Sequence, residues 1–305
     1  MRLEKAAFFV YFDWSGAMAK LMVIPNSYND IDRLIDCTDA IVIGIRNLSV
    51  NFLEVDIEQI PSLVKTVHSK SKKIFISLNK NMHNSNLSEV VDILVKCDEL
   101  KVDGIFYYDV AVLAIHNRLD LELPLVWSAE HLATNYNTIN YWSKEGISYA
   151  FLSNEITLNE IDEISENVSI PLISQVFGYI PMYVSKRHAI DNYLKHFDLG
   201  TNSQEFYIFK EEKKYPILER FDNTEIYSHF ILNAIVEYMD MKVDYVLLNG
   251  FKIDIDKFLE VINLFRTVTN DNKIELKERI DSMFDNTDLG FLHKEAIYQV
   301  KKSDK

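Results

Sequence analysis

The chain has 305 residues, 48% of them hydrophobic and 26% charged, the balance of a folded globular protein with room for one large domain or two ordinary ones. A net charge of −14 excludes broad adhesion to nucleic acid or to acidic membrane, but not a local basic patch that binds one RNA. Cys37 and Cys97 stand in separate periodic segments without ligand spacing and read as buried thiols, so disulfides and a cysteine-ligated metal have little support, and no apolar run is long enough to span a bilayer.

The first 17 residues hold the short apolar run Ala6–Phe12 behind Arg2 and Lys5, with Ser15-Gly16-Ala17 after it. They read either as a weak signal peptide or as a leader ahead of a true start at Met18. The direct run from Met18 into a first strand favours the second reading, and the low cysteine count favours the cytoplasm. From Met18 onward, apolar runs alternate with amphipathic segments. Strands are expected at Leu21–Ile24, Ala40–Ile45, Lys73–Leu78, Gly104–Tyr108, Leu125–Ser128, Tyr149–Leu152, Leu172–Phe177 and Tyr245–Leu248. Helices are expected at Tyr28–Ile35, Ile57–Val67, Leu87–Leu100, Val110–Asn117, Asn137–Lys144, Leu158–Ser165, Ile226–Met239 and Ile255–Phe265. Between the seventh and eighth strands, Glu205–Phe209 and Tyr215–Glu219 flank a charged turn and read as a hairpin inserted over 203–222.

Strands with nearly continuous apolar runs, each followed by a helix, imply parallel pairing buried on both faces. Eight such units predict an α/β fold, a (β/α)8 TIM-type barrel over 18–270, with a tail at 271–305 that packs on the barrel or on a partner. An open doubly wound sheet is the runner-up, and it is weakened by the missing glycine fingerprint after the first strand.

A barrel places its site at the C-terminal ends of the strands. The residues there are Asn26, Arg46, Asn47, Asn79, Lys80, Asp109, Ser128, Glu130, His131, Asn154, Glu155, Gln175, Asn249 and Gly250. The most unusual stretch follows the seventh strand: a loop with Pro181, then Ser185 as a helix N-cap, then Lys186, Arg187 and His188 in the first helical turn. Cations normally avoid a helix N-terminus, so three of them predict an anion site, the bland alternative being a solvated first turn. His188 and Glu155 would form an acid–base pair if they met across the mouth. Zinc-protease and serine-hydrolase motifs are absent.

The stretch Gln175-Val-Phe-Gly-Tyr-Ile-Pro-Met-Tyr-Val-Ser-Lys-Arg-His resembles the signature of the collagenase-like peptidase family U32. Ala40-Ile-Val-Ile-Gly, Ser77-Leu-Asn, Asp109-Val-Ala-Val-Leu, Ser128-Ala-Glu with Thr134-Asn135, and Leu152-Ser-Asn-Glu-Ile are similar to the family's strand ends. The resemblance implies a barrel-like core and either proteolysis of collagen-like substrates or hydroxylation of RNA or quinones with a cysteine-bound [4Fe-4S] cluster. Paired bacterial members resembling this chain act in forming 5-hydroxyuridine at the tRNA wobble position, with prephenate implicated. Where the signature has its two cysteines, this chain has Pro181 and His188, and the later cysteine pair is also missing.

The resulting expectation is a cluster-free subunit that acts with a longer, cluster-bearing relative on tRNA, without membrane attachment. Glu155 and His188 are its expected catalytic residues. Arg46, Asn79, Asp109, Asn135, Gln175, Ser185, Lys186 and Arg187 are expected to bind a prephenate-like metabolite or an RNA phosphate. A collagenase-like peptidase and a non-catalytic scaffold are the alternatives.

Overall fold

Strands buried on both faces need helices to cover them, and the chain supplies these in alternation. The computed structural model describes residues 18–129, 132–200, 203 and 205–294. β1 (Lys20–Ile24) leads through a 3-10 turn to α1 (Ile31–Ile35). β2 (Ala40–Ile45) is followed by the two-residue β3 (Glu54–Val55) and by α2 (Ile60–Ser69). Pro61 sits in the first turn of α2, where its missing N–H has no intrahelical partner to lose. The alternation continues with β4 (Lys73–Leu78), α3 (Leu87–Glu99), β5 (Gly104–Tyr107) and α4 (Val110–Leu119). Next come β6 (Leu125–Trp127), α5 (Tyr136–Glu145), β7 (Tyr149–Phe151) and α6 (Leu158–Asn167). β8 (Leu172–Ser185) is unusually long, and α7 (Ala189–His196), β9 (Phe206–Lys210), β10 (Lys213–Glu219) and β11 (Thr224–Asn233) separate it from β12 (Tyr245–Asn249). The described part of the chain finishes with α8 (Ile255–Thr267), α9 (Lys273–Met283) and the short β13 (Thr287–Asp288).

The parallel strands pair in the order β1-β2-β4-β5-β6-β7-β8-β12, and β12 pairs back to β1, closing an eight-stranded barrel. Alternate residues point to opposite faces. Met22, Val42, Phe75, Phe106, Val126, Ile173 and Leu247 fill the interior, while Val23, Ile43, Ile76, Ile105 and Val246 meet the helices. Edge-to-face rings of Phe75, Phe106, Tyr149 and Tyr245 pack the interior, so the barrel is a filled core rather than a pore.

β8 departs from this regularity. After Phe177 the strand bends at Gly178, where φ is +99° and a Cβ would stand 2.1 Å from the Asn249 carbonyl oxygen. It then runs on past the barrel rim, pairing antiparallel with β11 from Phe177↔Asn233 to Ser185↔Thr224. β10 pairs with β11 and β9 with β10, the last two joined by Glu211 and Glu212, both at positive φ as a tight primed hairpin turn requires. The result is a four-stranded antiparallel flap rooted in the seventh barrel strand.

Three expectations are corrected here. Ile226–Met239 is not a helix: it is β11 followed by a 3-10 turn at Glu237–Met239, because the extension of β8 needs a strand beside it. Pro181 lies within β8 and not in a loop. Ser185 is the last residue of β8 and not a helix cap, so Lys186 and Arg187 precede α7 instead of occupying its first turn, and His188 is the residue at its N-cap.

The flap is held against the barrel on two sides. The Tyr227 ring stacks on Phe251, after β12, at 4.0 Å. Opposite, Arg220 donates to the Phe52 carbonyl at 2.9 Å and to the fully buried Glu225 at 3.0 Å, with Glu54 at 3.6 Å. Glu225 also accepts from Asn223 and from Tyr227, and Lys80 pairs with Asp222. No helix among the described residues is long and apolar enough to cross a membrane.

Candidate active site at the barrel mouth

At the C-terminal ends of the strands the inward-facing positions turn from apolar to polar. Asn79, Ser128, Ser153, Gln175 and Asn249 form this layer, the last four each two places beyond an apolar interior residue and Asn79 two places beyond the buried Ser77. Above it lies a cavity of about 220 Å³. Loop residues Asn51, Phe52, Asn154 and Glu155 form part of its wall, Ile180–Tyr183 and Phe230 of the flap another part, and Phe291 of the C-terminal segment closes it. That segment is fixed by the bond from Leu158 N to the Leu292 carbonyl at 3.1 Å and by His293 to Glu237 at 2.9 Å.

The amides of this layer divide into spent and available groups. Gln175 Nε2 donates to the carbonyls of Phe177, Gly178 and Tyr179, stitching the bend of β8, and its Oε1 accepts from Asn154 at 3.3 Å. Asn249 donates to the Tyr179 carbonyl and accepts from Phe251 N. Asn79 Oδ1 accepts from Val50 N at 3.0 Å and from Ser77 at 2.9 Å, while its Nδ2 has no protein partner among the described residues and lies on the cavity wall. Asn154 Oδ1 and the Ser128 hydroxyl are the other groups that a guest would meet, and the exposed Glu155 lies on the same wall. The rest is apolar or aromatic, and among the described lining residues Glu155 is the one charged group.

The cavity thus brings together Asn79, Glu155 and Gln175 from the expected set, but not the others. Asp109 caps α4 through Ala111 N at 2.9 Å and ties down Met82 N at 2.8 Å. Asn135 caps α5 through Thr138 N. Arg46 lies exposed against Asp56. Ser185 accepts from Arg187 N, and Lys186 reaches His83 in the loop after β4. His188 faces Glu219 at 3.8 Å, and Arg187 meets no carboxylate among the described residues. The basic turn is therefore off the cavity wall, with Lys186 against the barrel-rim loop after β4. Glu130 and His131 lie outside the described residues, as do residues 1–17. Missed from sequence were Asn51, Phe52, Ile180, Met182, Tyr183, Phe230 and Phe291. Asn51, Phe52 and Phe291 lie in loops, while Ile180, Met182 and Tyr183 lie on the projecting part of β8 and Phe230 on β11, and only Gly290-Phe291-Leu292, an apolar island in a polar tail, signalled itself.

An iron–sulfur cluster needs several thiolates converging on one small group. Cys37, between α1 and β2, is half-buried, its thiol donating to the Leu34 carbonyl, and Cys97 is buried in α3 with its thiol pushed up to about 12 by desolvation. Neither lines the cavity. Pro181 and Ser185 lie four residues apart on one extended strand, roughly 14 Å, and His188 lies beyond them. These residues do not fit a cluster.

Comparison with known proteins agrees with this architecture. The sequence model of peptidase family U32 matches residues 32–297. The chain is 30% identical to tRNA hydroxylation protein P2 of Bacillus subtilis (strain 168), over 92% of this chain and 99% of that one. It is 26% identical to tRNA hydroxylation protein P1 of the same organism, over 50% of this chain and 35% of that longer protein. An uncharacterised protease of Methanocaldococcus jannaschii is 28% identical over 58% of this chain and 45% of its own length. The solved structure of a U32 peptidase superposes with a TM-score of 0.50 at 14% identity, covering 78% of this chain and 95% of that one, a likeness of fold.

Proposed function

This chain belongs to peptidase family U32, and on that premise we propose that it is a component of tRNA hydroxylation whose cavity receives a base while a longer family member supplies the oxidative chemistry. The observation that carries this reading is the 30% identity to a tRNA hydroxylation protein over 99% of that protein's length. The cavity supports it. A pocket of this size, walled by Phe52, Phe151 and Tyr183 and edged by amides and hydroxyls, suits a small neutral ring with its own donors and acceptors. Asn79 Nδ2 would meet a ring carbonyl, Asn154 Oδ1 would take a ring N–H, and apolar walls would exclude water. A prephenate-like dianion finds no cation among the described lining residues, so the cavity favours the ring over the metabolite.

Peptidase chemistry has less support. Ser153 accepts from Glu155 N, Ser228 donates to the Phe230 carbonyl, and no described histidine or cysteine lines the cavity. Mass spectrometry of tRNA nucleosides from a strain lacking this chain tests the proposal. Loss of 5-hydroxyuridine-derived nucleosides, in this strain or in one also lacking the longer relative, is expected, and unchanged levels in both would refute it.

A further inference from the structure

The flap carries a second surface that begins at the cavity wall and runs beyond it. Its elements are the tip of β8, the turn that follows, helix α7 and the β10–β11 turn. Ala189 N bonds Thr224 and the N–H groups of Ile190 and Asp191 bond Glu219, so α7 is seated beside that turn. The aliphatic residues Ile190 and Leu194 are half-buried, which leaves the aromatic residues outward. Tyr183 is 66% exposed, Tyr193 58%, Phe197 55% and Phe221 85%, values no soluble surface gains from holding as rings. Tyr193 and Phe197 pack together at 4.8 Å, with His196 edge-on to Phe197 at 4.7 Å.

Cations are interleaved with these rings. Between Tyr183 and Leu199 stand Lys186, Arg187 and Lys195 with His188 and His196, against only Asp191 and Asp198, in a chain of net charge −14. Asp191 is already paired with Lys195, and Arg187 faces no carboxylate among the described residues. Tyr183 belongs both to this surface and to the cavity wall, so the surface leads straight into the mouth.

From this juxtaposition we infer that the tip of β8, α7 and the turn holding Phe221 form a docking surface for single-stranded RNA, its bases stacking on Tyr193, Phe197 and Phe221 and its phosphates meeting Lys186 and Arg187. The inference rests on the tRNA reading of the cavity and assigns the strand beside the target base to this face. Val184 and Leu199 are exposed here too, but positive charge gathered on one face of a chain of net charge −14 selects an anionic occupant. Exposed rings beside those cations are the pair of chemistries that bind a nucleic-acid strand without reading its sequence.

Fluorescence anisotropy of the full chain with a labelled RNA stem–loop carrying unmodified uridine in its loop tests this. Tyr193→Ala and Phe197→Ala should each weaken binding about fivefold or more. Lys186→Gln combined with Arg187→Gln should weaken binding and flatten its salt dependence by about one to two contacts. Phe209→Ala, equally exposed but on the far edge strand β9, should bind as the unaltered chain does. All these side chains are exposed, so melting temperatures should not move. Absence of RNA binding, or equal weakening by Phe209→Ala, would overturn the inference. So would loss of a co-purifying protein from the Tyr193→Ala, Phe197→Ala double variant with RNA binding intact. If modified nucleosides vanish from the deletion strain while the chain ignores RNA, the tRNA proposal stands and this inference falls; unchanged nucleosides with the expected binding pattern give the reverse.

Discussion

The seat of the flap holds three carboxylates, Glu54, Asp222 and Glu225, against two cations, Lys80 and Arg220, so one proton would balance it. Glu54 is the group placed to carry that proton: burial pushes its carboxyl from 4.5 to about 7, Arg220 pulls it back, and Glu225 adds to the rise. A carboxyl raised on folding makes the native state bind the extra proton between the two values, so its contribution opposes folding increasingly as pH rises through that window. From 4.5 to about 7 the cost is roughly 3 kcal/mol, essentially complete by about pH 8. Glu54→Gln keeps the shape and cannot ionise. Urea unfolding at pH 5, 6.5 and 8 should find the variant close to the unaltered chain at pH 5 and gaining on it by about 2–3 kcal/mol by pH 8. Parallel pH profiles, within about 1 kcal/mol, would show that Glu54 is ionised throughout and the charge argument wrong.

Arg220→Met should destabilise by about 3 kcal/mol at neutral pH, because it strands the fully buried Glu225 with only its Asn223 and Tyr227 bonds; a loss below about 1 kcal/mol in the same urea assay would refute the clamp. Gly178→Ala should cost more than about 3 kcal/mol, since a Cβ there meets the Asn249 carbonyl at 2.1 Å, whereas Gly290→Ala, with φ of +59° and nearest atoms at 3.6 Å, should cost about 1–2 kcal/mol. Similar thermal shifts for the two would remove Gly178 as the hinge of β8. Asn79→Asp keeps the acceptor for Val50 and Ser77 but replaces the free donor with an anion, so a complemented deletion strain should show at least about a tenfold loss of the tRNA modification with little change in melting. Full modification in that strain would take Asn79 out of the site.

The barrel was legible because its signal is local. β2 is Ala40–Ile45, as its unbroken apolar run requires, whereas Ile74, Phe75 and Ile76 on β4 are all apolar, so which of them faces the interior is decided by the closed barrel. The flap was not legible, because its pairing is long-range. Thr224–Asn233 carries Ile226, Phe230 and Ile231 at spacings that also suit a helix, and only the projecting end of β8 decides between the two. The candidate site divided along the same line. Asn79 directly follows β4 and Gln175 faces inward on β8, and both reached the cavity. Asp109, after β5, and Asn135, before α5, stand at helix N-termini, which need acceptors, and that local demand took both side chains. The basic turn was found as an unusual cluster, and its position depended on where β8 ended.

That end point changes the chemistry expected of the mouth. Had β8 stopped at Phe177, Lys186 and Arg187 would stand over the strand ends, and an anionic guest would be the natural reading. Eight further residues of strand carry them to Ser185 and beyond, while Lys80 of the barrel rim and Arg220 of the flap are committed to Asp222, Glu225 and Glu54. The cavity is left with amides, hydroxyls, rings and Glu155, and the uncommitted positive charge stands outside it among exposed aromatics. On the proposed reading, a small neutral base suits the first environment and the phosphates of the strand beside it suit the second.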